Sequence, residues 1–142
     1  MDFNSGLAMK GRLTIVINDE VVQEIDNLVV TTGKAYVASR MKDATATAMS
    51  HMAVGTGSTA AAAGDTALGN ESARVALTST TVSGADVIYV ATFGAGVGTA
   101  GLTEAAVLNA SSSGTMLCRT VFPIINKSAS DSMTVTWTVT AS

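Results

Sequence analysis

The chain has 142 residues, enough for one compact domain with a real core and cramped for two. Its hydrophobic fraction is 47%, yet only 13% of residues are charged and 4% aromatic, against about 25% charged in an average soluble domain. The 8 basic and 11 acidic residues are scattered and sum to −3, which argues against nucleic-acid binding through a basic patch, and the single cysteine, Cys118, excludes an internal disulfide.

Residues 1–10 show no periodicity and read as an N-terminal arm, with Phe3 and Leu7 as its contact candidates. The arm lacks the apolar core of a signal peptide, so the protein is expected to stay in the compartment where it is made. Residues 11–142 are expected to form a single β-sandwich domain that opens with a hairpin-helix module at 11–42. Arg12 to Asn18 and Val21 to Ile25 are β-branched runs separated by Asn18-Asp19-Glu20, whose side chains suit a tight turn. Val29 and Val30 lead into Thr31-Thr32-Gly33, where a threonine is expected to cap a helix over about Gly33 to Met41. Val37 and Met41 would share one face of this helix, the only one expected.

Ser50 to Val54 reads as a short strand ended by Gly55-Thr56-Gly57-Ser58. Thr59 to Asn70, rich in Ala and Gly, has no sustained period and reads as a long loop, of a kind uncommon in compact domains unless it binds something. Ala73 to Val82 and Val87 to Phe93 are expected to form a second hairpin around Ser83-Gly84-Ala85-Asp86. Gly94 to Gly101 is a glycine-rich loop containing Gly94, Gly96 and Gly98. Leu102 to Asn109 and Thr115 to Phe122 follow as strands, and Pro123 is expected to demote Ile124 and Ile125 to an edge or a bulge. Ser132 to Thr140 carries the strongest signal: Met133, Val135, Trp137 and Val139 alternate with Thr134, Thr136, Thr138 and Thr140. About eight strands with regular turns describe a mainly β protein, an antiparallel, jelly-roll-like β-sandwich with an N-terminal hairpin and one short helix.

Catalytic patterns are missing. Gly55-Thr56-Gly57 is followed by Ala60 where a dinucleotide loop needs its third glycine, and Leu28 stands where a phosphate-binding loop leading to Gly33-Lys34 needs its first. His51 is the only histidine, and no Gly-x-Ser-x-Gly occurs. No enzymatic activity, cofactor or metal is therefore expected. Glu104 stands out because it falls inside an apolar strand, where an unpaired carboxylate is costly. It is expected to pair with Arg74 or Arg119, or to accept backbone hydrogen bonds, as a structural ion pair. A carbohydrate-binding module would want exposed aromatics, and Trp137 lies on the predicted core face.

Two stretches, His51-Met52-Ala53-Val54-Gly55-Thr56-Gly57 and Asp65-Thr66-Ala67-Leu68-Gly69-Asn70-Glu71-Ser72-Ala73-Arg74-Val75, form a unit that resembles small virion proteins of tailed bacteriophages. The pattern continues in Ala91-Thr92-Phe93, in Leu102 to Asn109 and in Met133 to Thr140, with Ala106 and Leu108 where such proteins often carry Gly and Phe. The resemblance spans about residues 51–140, its motifs are structural, and it implies virion assembly within the host bacterial cytoplasm. Such proteins are described as capsid decoration (cement) proteins or as tail-fibre and collar-like proteins. The expectation is a homotrimeric cement protein that bridges neighbouring copies of the major capsid protein. A tail-fibre, collar or baseplate component is the alternative. Candidate contacts are Phe3 and Leu7 in the arm, Gly55, Thr56 and Gly57, and Gly94, Gly96 and Gly98, with neither nucleic acid nor membrane as partner.

Overall fold

The computed structural model describes residues 8–43 and 45–141. Phe3 and Leu7 lie outside the described residues. Strand β1 begins at Met9 and runs to Ile17, so Met9 and Lys10, read as arm from the sequence, are strand residues paired with Ala141 and Thr140. Asn18 and Asp19 take positive φ values of 49° and 70°, the twist a two-residue hairpin turn requires, and the chain returns as β2, Glu20–Val29.

Helix α1 spans Thr31–Lys42, longer at both ends than expected, and its N-cap is Val30 with no side-chain cap. No threonine caps it: Thr32 Oγ1 donates instead to the Met116 carbonyl at 3.1 Å, and the free N–H of Thr31 donates to the Ala63 carbonyl at 2.8 Å. Tyr36 and Val37 pack on the core, whereas Met41 is 76% exposed and does not share their burial.

Strands β3 (His51–Gly55), β4 (Glu71–Ala76), β5 (Ser79–Ser83), β6 (Asp86–Phe93), β7 (Ala100–Leu108), β8 (Met116–Lys127) and β9 (Met133–Ala141) complete the chain. The single run expected at 73–82 is therefore two strands, giving nine among the described residues in place of about eight. Strand β8 runs through Pro123, where its register against β7 shifts between Leu102 and Glu104. This irregularity accommodates a residue with no N–H, and it leaves Ile124 exposed and Ile125 buried.

All pairings are antiparallel, in the order β4-β3-β7-β8-β2-β1-β9-β6-β5. Strand β2 meets β8 only through Leu28 with Arg119 and Val29 with Cys118, so the sheet folds at this seam into two layers. The opposite edges, β4 and β5, are consecutive in the chain and separated only by Leu77 and Thr78, a link of about 11 Å at full stretch. Those edges must adjoin. Leu77 N–H donates to Ser50 and Thr78 N–H to Val90, tying the link to both layers. The protein is thus a mainly β, antiparallel sandwich of one curled sheet with an N-terminal hairpin and one short helix.

The alternation of β9 places Met133, Val135, Trp137 and Val139 between the layers, against Leu13, Ile15, Ala91 and Phe93 from its two neighbours. Burying each such side chain stabilises by roughly 1.5–3 kcal/mol before chain entropy is counted. A second, smaller core lies on the outer face of the other layer: Val30, Ala53, Ala106, Leu108 and Met116, joined by Leu68 from the loop between β3 and β4.

Candidate contact site built on a buried carboxylate

Gly55 and Glu104 face each other across the β3–β7 pair, on the same outer face as Ala53 and Ala106. A carboxylate there would ordinarily be solvated. Residues 56–70 instead fold back over this face, and Glu104 is fully buried beneath them.

The carboxylate is satisfied from two sides. Oε2 accepts the backbone N–H of Gly57 and of Asn70, each at 2.7 Å, and Oε1 accepts that of Gly69 at 2.8 Å. From the sheet side Arg119, paired with Ala106 and so two residues along the same face, donates to Oε1 from Nε at 3.2 Å and from Nη2 at 3.0 Å. The same guanidinium reaches Asp65 Oδ2 at 2.8 Å and the Thr59 carbonyl at 2.9 Å. One cation therefore ties the β7 carboxylate to two points of the loop.

Burial alone would push the Glu104 carboxyl up. The N–H groups of Asn70 and Gly69, the Arg119 guanidinium and the N–H of Gly57 outweigh burial and hold it below the usual carboxylate value. Glycine is required at 57, where a Cβ would collide with the carboxylate, and at 55, where it would strike the Asn70 carbonyl. Thr56 completes the closure: its N–H donates to the Asn70 carbonyl at 2.9 Å and its Oγ1 accepts from Asn70 Nδ2 at 2.7 Å.

Of the two arginines expected as partners, Arg119 takes Glu104. Arg74 is held elsewhere, bonded to Glu71 at 2.7 Å and to the carbonyls of Ala110 and Ser113, where it braces the β7–β8 turn. The reason is positional: Arg74 pairs with Ala53 in β3, which lies between it and β7. The expected backbone hydrogen bonds to Glu104 are made, but the sequence did not point to Asp65 or to which N–H groups would donate. Asp65 sits in a segment without periodicity, and N–H groups leave no side-chain signature.

The glycine candidates divide by location. Gly55 is buried, and Gly57 is half-buried with its N–H pointing inward to Glu104. The exposed residues of this loop are Ser58 to Ala60, Ala62 to Gly64, Thr66, Ala67, Gly69 and Asn70, all uncharged. Gly94 accepts the buried Lys127 ammonium at 2.9 Å, while Gly96 and Gly98 take positive φ values of 78° and 68° in the β6–β7 turn. Gly98 packs beside Val54 and Ala73, which brings this turn to the same end of the sandwich as Gly55.

Trp137 is fully buried. His51 Nδ1 is 2.7 Å from Ser50 Oγ, and among the described residues no group of three or more His, Cys, Asp or Glu side chains could hold a metal ion. Cys118 lies in the core, where burial raises its thiol pKa and suppresses the reactive thiolate. Comparison with known proteins gave no match: no family model, no curated protein and no solved structure matches this chain.

Proposed function

We propose that this chain is a structural protein of tailed-bacteriophage virions, a capsid decoration (cement) protein that acts as a homotrimer and bridges neighbouring copies of the major capsid protein. The observation that carries the reading is the clasped loop at 58–67, whose exposed residues are all uncharged while its one charged residue, Asp65, is turned in to Arg119. A buried ion pair, Glu104 with Arg119, and three backbone N–H groups hold it in one conformation, and its outward residues are Ala, Gly, Ser and Thr. Such a surface sheds little hydration on docking and loses little conformational freedom, because the loop is already ordered. Each bridge adds buried area between capsid subunits, which expansion or internal DNA pressure must break. The motif resemblance over about residues 51–140 supports the same reading, since its glycines, Glu104 and Asn70 are the residues that build the loop clasp.

The test is to strip the protein from purified heads, add it back, and follow DNA release on heating. Restored protein is expected to raise the release midpoint by several degrees, in proportion to occupancy. Heads that neither rebind it nor change their midpoint would contradict a cementing role. Binding confined to tails would move the assignment to a tail-fibre, collar or baseplate component.

A further inference from the structure

Charge is polarised along the β1–β2 ribbon. At the helix end, a groove of about 260 Å³ is lined by Lys10, Arg12, Lys34, Leu28, Thr138 and Thr140, with Asp26 as its only acidic group. Arg12 is engaged by Asp26 at 3.1 Å and Glu24 at 3.5 Å, whereas Lys10 and Lys34 are exposed and have no ion-pair partner among the described residues. Among the described residues the groove lining therefore carries two positive charges outside any ion pair, over an apolar and hydroxyl floor whose Thr140 hydroxyl donates to Asp86 at 2.6 Å.

At the other end the same ribbon closes in the Asn18-Asp19 turn, where Asp19 and Glu20 are exposed and likewise unpaired among the described residues. Val21, 56% exposed, and Val22, 42% exposed, follow them. This tip is tied to the β8–β9 turn: Asn18 Nδ2 donates to Asp131 Oδ1 at 2.9 Å, Ser132 N–H donates to Asn18 Oδ1 at 3.1 Å, and Asn18 N–H donates to the Ser132 carbonyl at 3.0 Å. Bonds from Ser128 and Asn18 keep the Asp131 carboxyl below its usual value, which adds a third negative charge at this end.

We propose that the acidic β1–β2 tip of one copy docks in the Lys10–Lys34 groove of a second copy. The two surfaces are complementary in charge, and both pair their charges with apolar groups, Val21 and Val22 on one side and Leu28 and Met9 on the other. They cannot meet within one molecule, because Lys10 and Ile17 lie toward opposite ends of one extended strand, about 24 Å apart. A contact between two different surfaces is heterologous, so it propagates into rings or columns in place of stopping at a dimer. The proposal rests on the reading of this chain as a repeated subunit and names the surfaces through which copies meet. The two fail separately: association in solution without incorporation into particles would remove the virion reading and leave this contact standing.

Sedimentation and light scattering of the intact protein over a range of concentrations test it. Two variants are needed. One is Asp19→Asn with Glu20→Lys, because Asn tolerates the φ of 70° at position 19 that Lys resists. The other is Lys10→Glu with Lys34→Glu, and all four positions are exposed, so circular dichroism and melting should match wild type. Wild type is expected to grow beyond dimers at about 0.02 M salt and to weaken at least tenfold at about 0.5 M. Each variant alone should weaken tenfold or more, and an equimolar mixture should associate again, since the native acidic tip of the groove variant then meets the native basic groove of the tip variant. A wild type that stays monomeric at low salt, variants that associate like wild type, or a mixture no better than its parts overturns the proposal.

Discussion

Moving the Glu104 carboxylate out of water costs several kcal/mol, and its five hydrogen bonds offset that cost only while all of them are made. Glu104→Gln keeps the shape, removes the charge facing Arg119 and turns an amide NH₂ toward existing donors. It should lower unfolding free energy by about 3–5 kcal/mol in urea titration. The same site carries an acid dependence. Because the folded carboxyl lies below its ordinary 4.5, its contribution is fully present above the unfolded value and is lost as pH falls through the lower folded one. Wild type should therefore lose stability steeply on acidification below about pH 4.5, and Glu104→Gln should flatten that limb when urea midpoints are compared from neutral pH downward. A parallel decline in both proteins would assign the acid sensitivity to other carboxylates. Gly57→Ala should also destabilise, though less, by about 1–3 kcal/mol, since the new methyl displaces either the carboxylate or the loop. Hydrogen exchange at Gly57, Gly69 and Asn70 should accelerate in both variants while exchange in β9 stays slow.

Among the elements, α1 is attached at a point where a methyl group has no room. A Cβ on Gly33 would run into the Leu117 backbone carbonyl, so the helix lies directly on β8. In an exposed helix Gly→Ala stabilises by about 1 kcal/mol, but here the obstacle is backbone and cannot rotate away. Gly33→Ala should thus destabilise by about 1–3 kcal/mol in thermal or urea unfolding. An increase in stability would show that the helix can lift at no cost. Legibility in the sequence followed the same physics. The first hairpin and β9 were readable because two-residue alternation and turn chemistry agree there. The division of 71–83 into β4 and β5 was not, because Ser, Thr and Ala satisfy either sheet edge and the switch is made by two backbone N–H groups, of Leu77 and Thr78. Pro123 suggested an edge or a bulge at Ile124 and Ile125, and β8 has a bulge-type register shift there while continuing to Lys127. Glu104 was legible as a residue in need of a partner. The choice of Arg119 over Arg74 was not, since it depends on β3 lying between β4 and β7.

At the scale of the molecule, a 142-residue chain with 13% charged residues leaves much of its surface to Ala, Ser, Thr and Gly. Part of that surface, at 58–67, is held in place by a buried ion pair, although the main core between the two layers does not include it. The expense is intelligible if the loop is a docking surface repeated over a particle. The helix end and the hairpin tip carry opposite charge, which would align neighbouring copies before apolar contact is made. The most direct measurement is the copy number and position of the protein in purified virions, by quantitative mass spectrometry and particle imaging. The account predicts copies in proportion to the major capsid protein, distributed over the head, with the 58–67 loop at the capsid surface. A protein absent from particles, or a few copies at the tail alone, would contradict it.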